Sequence, residues 1–291
     1  MKIIQSFAEF EEGNYYLSLG GEEIMRKCLN FYSFLLSYLT LQKYYGKVTM
    51  FCNQKAHDSF IKYIPYNDVK ILENPNDFKF WSYYKVDAMR TMKEKFIHVD
   101  SDVFIFDDLY APFIKTRKYD VIVQDTIPAR INASIDFVKN NKEFLLENNI
   151  IDYNQYDGRC FSCGTLGITP KHLPEYIRLC DVLKEGYLNK KLVEVVPLGM
   201  ILEELSLYLF TLNKKLRIYE VLPHDEVLEH GVEKVGDLRK YTHMWFGNKF
   251  KPQIIKAIKL KIEKEFPDSY HLIEKYERDV LNKEALEKYI I

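Results

Sequence analysis

Residues 95–109 read KFIHVDSDVFIFDDL, an apolar run that stops at two aspartates separated by one serine and then resumes. A short apolar run of this kind is typical of a buried strand. Side chains at positions i and i+2 of an extended chain point the same way, so we expect Asp100 and Asp102 to lie on one face at the strand end. The stretch therefore predicts a buried strand that delivers two carboxylates to one place.

Apolar strands and helical stretches alternate on both sides of this segment. Strands are predicted at 2–7, 47–53, 69–72, 96–100, 120–125, 164–170 and 216–223. Helices are predicted at 22–45, 54–64, 78–95, after Pro170 and at 197–215, with a polar helical insertion across 126–160. This order predicts an α/β fold with a mostly parallel central sheet flanked by helices, in which ligands bind at the carboxyl ends of the strands.

The C-terminal part has a different pattern. From Lys251 onward, lysine and glutamate alternate with apolar residues at helical spacing. Because no repeat or low-complexity linker interrupts the chain, we predict one catalytic domain over 1–250 and a C-terminal helical extension over 251–291 that packs on it. The basic and apolar character of the extension also permits a peripheral membrane contact, although its glutamates favour the edge of a helical bundle.

Composition limits the classes of function. The 291 residues are 47% apolar, and 41 basic residues nearly balance 42 acidic ones. A strongly basic surface of the kind that binds nucleic acid is therefore not expected. The N-terminal MKIIQSFAEF lacks the apolar core of a signal peptide, and the apolar run at 31–41 is too short and polar to span a bilayer. These features predict a cytoplasmic protein.

Five cysteines include a single C-x-x-C motif, Cys160 and Cys163. A structural zinc site would need a second pair or histidines at ligand spacing. A thioredoxin-like pair would be expected just after an early strand. Neither context is present, so we predict two reduced cysteines at the entry to a strand.

The paired aspartates favour a metal site. Carboxylate oxygens are hard ligands that suit Mg²⁺ or Mn²⁺, and a cation held by few protein ligands keeps positions open for phosphate oxygens. The alternative is that Asp100 and Asp102 only shape the following turn, since aspartate is a common turn residue. The apolar runs on both sides and the surrounding parallel-sheet pattern favour the metal.

The segment FIHVDSDVFIFDDL resembles the D-x-D segment of glycosyltransferases with the type A fold. Three further stretches are similar to parts of that family, nearest to the glycogenin and lipopolysaccharide galactosyltransferase group: YYKVDAMR, CGTLGI and YTHMWFGNKFKP. The resemblance implies a Rossmann-like type A fold and transfer of a sugar from a UDP- or GDP-sugar with Mn²⁺ or Mg²⁺. It also implies a glycan or glycolipid acceptor. The family's N-x-G asparagine has no counterpart here.

The same resemblance assigns roles to residues. His243 is the third metal ligand beside Asp100 and Asp102, and Lys249 holds the diphosphate. Imidazole is an acceptable manganese ligand, and lysine is a suitable point charge for phosphate. Taken singly, His243 could be a half-buried histidine beside Trp245, and Lys249 a surface lysine with Lys251 as its substitute. The residues assigned to the donor are Gln5, Ser6, Phe7, Ala8, Lys85, Asp100, Ser101, Gly164, Gly247 and Lys249.

Three carboxylates are candidates for catalysis: Asp125, Glu203 and Glu204. Asp125 ends another strand, DVIVQD, and either contacts the donor sugar, acts as a base or shapes a turn. Glu203 and Glu204 stand where the family has an acidic-Gln pair, and we expect one of them to face the cleft.

Around this site, Trp245 is a candidate substrate wall. Arg130 is more typical of a surface arginine, and Gly20 with Gly21 offers a flexible loop or simply a turn.

Two rival functions remain open. Phosphatases of the haloacid dehalogenase type also have an apolar strand ending in D-x-D, but theirs ordinarily lies near the start of the domain and continues as D-x-D-G-T. A nucleotide-sugar or glycan binding protein without transfer activity would explain the missing asparagine. Turnover separates these alternatives from a glycosyltransferase.

Overall fold

The computed structural model of the chain describes residues 1–10, 23–72, 82–128, 132–151, 156–193, 199, 201–244 and 251–281. The strands within these residues are β1 (Lys2–Phe7), β2 (Val48–Cys52), β3 (Asp68–Ile71), β4 (Phe96–Val99), β5 (Val103–Ile105), β6 (Val121–Pro128), β7 (Arg159–Ile168), β8 (Ile218–Glu220) and β9 (Tyr241–His243). Seven of them form one mostly parallel sheet, while β5 and β9 pair with each other. The predicted α/β class with a mostly parallel sheet and flanking helices is thereby confirmed.

The α-helices described are α1 (Glu23–Tyr45), α2 (Gln54–Ser59), α3 (Tyr83–Arg90), α4 (Ala111–Lys115), α5 (Asn132–Asn140), α6 (Lys142–Glu147), α7 (Leu173–Leu188), α8 (Ser206–Lys214), α9 (His224–His230), α10 (Val232–Arg239), α11 (Pro252–Glu265) and α12 (Tyr270–Val280). Short 3₁₀ turns occupy Ile61–Tyr63 and Pro267–Ser269, and a π-helical turn covers Ile201–Leu205. Among the described residues no helix combines the length and the apolar character that crossing a bilayer requires.

The chain divides into two compact units. Unit 1 contains β4, α3, α4, β6, α5, α6, β7, α7, the π-helical turn, α8, β8, α9 and α10. Unit 2 contains β1 from Ile3 onward, α1, β2, α2, β3, β5, β9, α11 and α12. The segment that carries Asp100 and Asp102 therefore belongs to unit 2. A domain boundary at residue 250 stays a prediction.

In unit 2, parallel strands pack against a helix that is apolar on almost every side. The strand order is β3-β2-β1, with Ile3 opposite Val48 and Thr49 opposite Asp68. Helix α1 is buried continuously from Phe31 to Leu41, as expected of a helix without a polar face. Its burial makes it a rigid platform for the loops around it.

The C-terminal helices cover one side of α1. Helix α11 packs on α1, and the rings of Phe31 and Tyr276 stack with centroids 4.0 Å apart. Beside this stack, the Tyr32 hydroxyl donates to a Glu277 carboxylate oxygen (2.5 Å), which also binds the Lys259 ammonium (2.6 Å). The prediction of helices after Lys251 is thereby confirmed.

In unit 1, the strand order is β4-β7-β6-β8, and β7 runs antiparallel to both of its neighbours. The prediction that this strand begins at 164 is wrong, because β7 already begins at Arg159. Gly167 permits the close approach of β4, since a Cβ there would lie 2.4 Å from the Phe96 carbonyl oxygen. Helix α7 begins at Leu173 with Pro174 in its first turn, so the proline that starts the helix is not Pro170.

Candidate metal centre

The predicted strand end exists, but the backbone that follows it is a tight turn. All four residues of β4 are buried, and the chain leaves the strand at Asp100. The Val103 N–H then donates to the Asp100 carbonyl oxygen at 3.1 Å, which closes a turn over Ser101 and Asp102 before β5 begins. The expectation that extended backbone aligns the two carboxylates is wrong. A four-residue turn, Asp100 to Val103, brings them together instead.

A distant segment joins this turn through the small β5-β9 sheet. The two strands are antiparallel, and Val103 lies opposite His243. Beyond the strand, the Met244 N–H donates to the Asp102 carbonyl oxygen at 3.0 Å. These contacts place His243 Nε2 3.5 Å from Asp102 Oδ1. Pairing between short strands thus delivers an imidazole to a site more than a hundred residues away in sequence.

Asp100, Asp102 and His243 form a group of possible metal ligands, which we call the metal cluster. Each offers one ligand atom, and these atoms all lie within 4.8 Å of one another. Asp102 is only 6% exposed, whereas Asp100 and His243 are half-buried. If both carboxylates are ionised, a separation of at most 4.8 Å corresponds to a repulsion of at least about 3.5 kcal/mol at an effective dielectric constant of about 20. A cation would relieve that repulsion.

The donor atoms also fit the cations that the sequence predicts. Carboxylate oxygens suit Mg²⁺ and Mn²⁺, and one imidazole nitrogen favours a transition metal such as Mn²⁺ over Mg²⁺. Two ligand atoms at about 2.1 Å from one ion lie at most about 4.2 Å apart. His243 Nε2 and Asp102 Oδ1 already meet this condition at 3.5 Å.

Of the donor-site residues predicted at 5–8, Gln5 lies beside the cluster and is the most buried. Gln5 is 0% exposed, and its amide binds the Ser37 hydroxyl, the Asp100 carbonyl oxygen and the Tyr66 hydroxyl. The Phe7 ring packs edge-on against Phe34 and Phe60. Other members of the predicted set are Ser6 and Ser101, both half-buried, and Ala8, which is buried. Their contact with a donor stays a prediction.

Part of the predicted site lies outside the described residues. This applies to Gly247 and Lys249, and equally to Trp245, Arg130 and the Gly20–Gly21 pair. Lys251, the substitute for Lys249, is exposed at the N-cap of α11. The diphosphate contact therefore stays a prediction for either lysine.

Unit 1 contains a second group of predicted residues, centred on Lys85 and Glu203. The Lys85 ammonium donates to the Glu203 carboxylate, and the two side chains are only 9% and 8% exposed. Burial, and secondarily the charge of Lys85, holds the pKa of His98 well below its usual range, so this imidazole is neutral. Removing one member of such a buried pair would leave an uncompensated charge, so the two side chains depend on each other.

The π-helical turn Ile201–Leu205 carries Glu203. The wider turn interrupts the α-helix predicted over 197–215: Gly199 is already helical, and α8 begins after the turn at Ser206. Single π-helical turns occur frequently at functional sites. Cys163 Sγ donates to the Glu203 carbonyl oxygen at 3.5 Å, and Glu204 is half-buried.

Gly164 and Asp125 meet at an irregularity between β6 and β7. Val123 pairs with Leu166, whereas Asp125 pairs with Ser162, so β7 has two extra residues at this point. The bulge contains Gly164, and a glycine inside a strand is a common sign of such a bulge. Asp125 is 0% exposed at its centre.

The C-x-x-C motif behaves as the sequence predicts. All five cysteines are buried, and none forms a disulfide. Cys160 and Cys163 both lie in β7, where the sequence predicts two reduced cysteines.

Sequence reasoning missed two residues around the cluster. Ser37 on α1 and Tyr66 before β3 bind Gln5, and Ser37 also donates to the Asp100 carbonyl oxygen at 3.3 Å. A hydroxyl in the apolar stretch FYSFLLSYLTL is a signal that could have indicated Ser37. No local pattern distinguishes Tyr66 from the other tyrosines of the chain.

Comparison with known proteins adds one match. The model of a family described as a family of unknown function, DUF6734, matches residues 1–276. A search of curated proteins found no match.

Proposed function

The chain belongs to DUF6734, a family of unknown function, and we propose from its own residues that it is a metal-dependent glycosyltransferase. It moves a sugar from a nucleotide diphosphate donor, a UDP- or GDP-sugar, to a glycan or glycan-precursor acceptor. The Rossmann-like type A fold that accompanies such enzymes is part of this proposal. The α/β sheet and its flanking helices are compatible with it.

A single observation carries the proposal. The D-x-D turn after β4 and the histidine of the late YTH segment, which the resemblance joins in one metal site, lie within 4.8 Å of each other in unit 2. A chance D-x-D in a turn would have no reason to meet a histidine from the other end of the chain. Two carboxylates and one imidazole are also a suitable ligand set for Mn²⁺.

Asp100, Asp102 and His243 hold the cation in this proposal. When bound, Mn²⁺ or Mg²⁺ stabilises the negative charge that develops on the departing nucleotide diphosphate. With three protein ligands, coordination positions remain for phosphate oxygens. Lys249, or Lys251 in its place, adds a point charge on the same diphosphate.

Attack by the acceptor hydroxyl requires a base that can reach this group and take its proton. Of the three candidate carboxylates, Asp125 and Glu203 are buried, and Glu203 binds Lys85. Glu204 is half-buried and is therefore the best suited to meet an acceptor. The donor contact of Lys85 and the catalytic role of Glu203 stay predictions, since both residues belong to unit 1 and the metal cluster to unit 2.

The first test is a calorimetric titration of the protein with UDP and with GDP, in Mn²⁺ and in EDTA. We expect one nucleotide to bind in Mn²⁺ only, and Asp102→Asn to abolish that binding. Asp107→Asn is the control, because Asp107 is 58% exposed on the same segment but outside the metal cluster. Absence of binding in every condition would contradict the proposal.

Turnover then separates an enzyme from a binding protein. We expect release of free nucleotide diphosphate from one nucleotide-sugar, first by slow hydrolysis and faster with an acceptor glycan. Nucleotide binding that depends on Mn²⁺ without any release would instead indicate a nucleotide-sugar binding protein. Hydrolysis of a generic phosphate ester that requires Asp100 would indicate a phosphatase.

A further inference from the structure

Helix α1 carries a stripe of hydroxyl groups, Ser37, Thr40 and Tyr44. Spacings of three and four residues place these side chains on one face of the helix. All three bind backbone atoms of the segment 100–106: Ser37 Oγ donates to the Asp100 carbonyl oxygen (3.3 Å), and the Ile105 N–H donates to Thr40 Oγ1 (3.4 Å). The Tyr44 hydroxyl donates to the Phe106 carbonyl oxygen (2.7 Å).

We propose that this hydroxyl stripe, together with Gln5, positions the turn that carries the metal ligands Asp100 and Asp102. These are positioning residues: their side chains act on the backbone of the ligand segment and leave the coordination itself to Asp100, Asp102 and His243. The inference deepens the proposed function and rests on it only for the presence of a cation at the metal cluster.

The Asp100 carbonyl oxygen is the point where the contacts converge. It accepts hydrogen bonds from the Val103 N–H (3.1 Å), from Ser37 Oγ (3.3 Å) and from Gln5 Nε2 (3.5 Å). Each side-chain bond is long, but the donors approach from a strand and a helix that are both buried. A carbonyl held in this way fixes the peptide plane after Asp100, and thereby the direction in which the Asp100 side chain leaves the backbone.

Both the nitrogen and the oxygen of the Gln5 side-chain amide are hydrogen-bonded. Its Nε2 donates to Ser37 Oγ at 2.9 Å, and its Oε1 accepts from the Tyr66 hydroxyl at 2.7 Å. Ser37 therefore accepts one hydrogen bond and donates another, which is the full use of one hydroxyl hydrogen and one lone pair. The chain Tyr66, Gln5, Ser37, Asp100 runs from the loop before β3 to the metal turn.

The burial of these polar side chains supports a positioning role. Gln5, Ser37 and Thr40 are all 0% exposed in a part of the core that is otherwise apolar. A buried polar side chain stabilises less than an apolar one of similar size unless its hydrogen bonds are made. Here the hydrogen bonds of Ser37, Thr40 and Gln5 reach the backbone of one short segment, 100–106, which also bears the ligands Asp100 and Asp102. Neighbours that orient ligands in this way commonly change metal affinity by roughly ten- to a hundredfold.

The test is a titration of the protein with Mn²⁺ alone. Electron paramagnetic resonance measures the concentration of the free ion at each step. Ser37→Ala removes one buried oxygen, and we expect it to weaken Mn²⁺ binding by about tenfold. Gln5→Met removes both donors and the acceptor for Tyr66, and we expect a larger loss, up to about a hundredfold. Circular dichroism of each variant gives the folded fraction, so that affinity is counted per folded molecule.

Two matched controls separate positioning from general stability. Ser33→Ala removes a buried hydroxyl one turn earlier on α1, where it donates only to the Asn30 carbonyl oxygen of the same helix among the contacts described. Tyr38→Phe removes a hydroxyl that donates to the Pro65 carbonyl oxygen, from a ring that touches Tyr66. We expect both controls to keep the wild-type Mn²⁺ affinity. Tyr66→Phe, the counterpart of Tyr38→Phe, is expected to weaken it.

A spectroscopic measurement adds a readout that a purely structural role would not move. Co²⁺ in the same cluster reports ligand geometry through its visible absorption, and Ser37→Ala should change that spectrum while Ser33→Ala leaves it unchanged. Unaltered Mn²⁺ affinity and Co²⁺ spectra in folded Ser37→Ala would overturn the inference, even if Gln5→Met fails to fold.

The outcomes for the two proposals differ. If Mn²⁺ binds and the Ser37 variant weakens it, the inference stands even where no nucleotide binds and the transferase proposal fails. If the wild-type protein binds no Mn²⁺ at millimolar concentration, the metal premise of both is wrong.

Discussion

Thermal stabilisation by Mn²⁺ is the most direct consequence of the metal cluster. A cation that binds only the folded state stabilises it by RT ln(1 + [Mn²⁺]/Kd), or about 2.7 kcal/mol at 100 times Kd. Unfolding entropy of about 2.1 cal/mol/K per residue amounts to roughly 0.6 kcal/mol/K for 291 residues. We therefore expect Tm to rise by about 4 °C between EDTA and saturating Mn²⁺.

Asp102→Asn replaces the most buried of the three ligands, and we expect it to weaken Mn²⁺ binding by at least about a hundredfold, the upper end of the effect of residues that only orient a ligand. The same Mn²⁺ concentration then equals at most about one Kd and contributes at most about 0.4 kcal/mol, which shifts Tm by less than about 1 °C. His243→Ala should act in the same direction, because its Nε2 lies 3.5 Å from Asp102 Oδ1.

Differential scanning calorimetry measures these shifts, with Asp107→Asn as the control. Asp107 binds its own neighbour, accepting from the Asp108 N–H at 2.8 Å, and does not belong to the metal cluster. This control should keep the full shift of about 4 °C. An equal Mn²⁺ shift in wild type and Asp102→Asn would refute the reasoning, since the stabilising ion would then bind elsewhere.

Two further predictions concern stability alone and are measured by urea denaturation. Gly167→Ala should cost about 3 kcal/mol, because its Cβ would lie 2.4 Å from the Phe96 carbonyl oxygen. Gly46→Ala, at φ +77° with no atom within 4 Å, should cost only about 1 kcal/mol of backbone strain. Equal losses of stability in the two variants would contradict the steric account. Arg217 hydrogen-bonds Asp120 and lowers its pKa, so the pair stabilises the protein above the ordinary carboxyl pKa of about 3.9 and loses that contribution as the pH falls. Arg217→Ala should thus lower the urea midpoint at neutral pH and leave it unchanged in strong acid, and a loss independent of pH would argue against an ionic contribution.

Much of the candidate site was predictable from local patterns. The buried strand FIHV before Asp100 follows from a short apolar run, and the long helix α1 follows from apolar residues over several turns. The alternation of such elements was enough to predict the α/β class. The Asp-x-Asp pair and the late histidine were visible as residue types that hold divalent cations.

Other features depended on non-local contacts that a local pattern does not contain. The apolar spacing of Ile201–Leu205 predicts an ordinary α-helix, whereas the structure has a π-helical turn there. The early start of β7 was missed, since cysteine and serine at 160–163 are weak strand indicators until β6 pairs with them.

What the sequence alone determined is the α/β class, the seven strands of the main sheet and the identity of the candidate ligands, because hydrophobic periodicity and side-chain chemistry are local properties. What only the tertiary structure decided is that the ligands meet. Pairing of β5 with β9 brings His243 to Asp102, and the buried Gln5 and Ser37 hold the Asp100 carbonyl oxygen. Both depend on hydrogen bonds between segments up to about 140 residues apart, whose partners are set by packing of the whole core rather than by neighbouring residues.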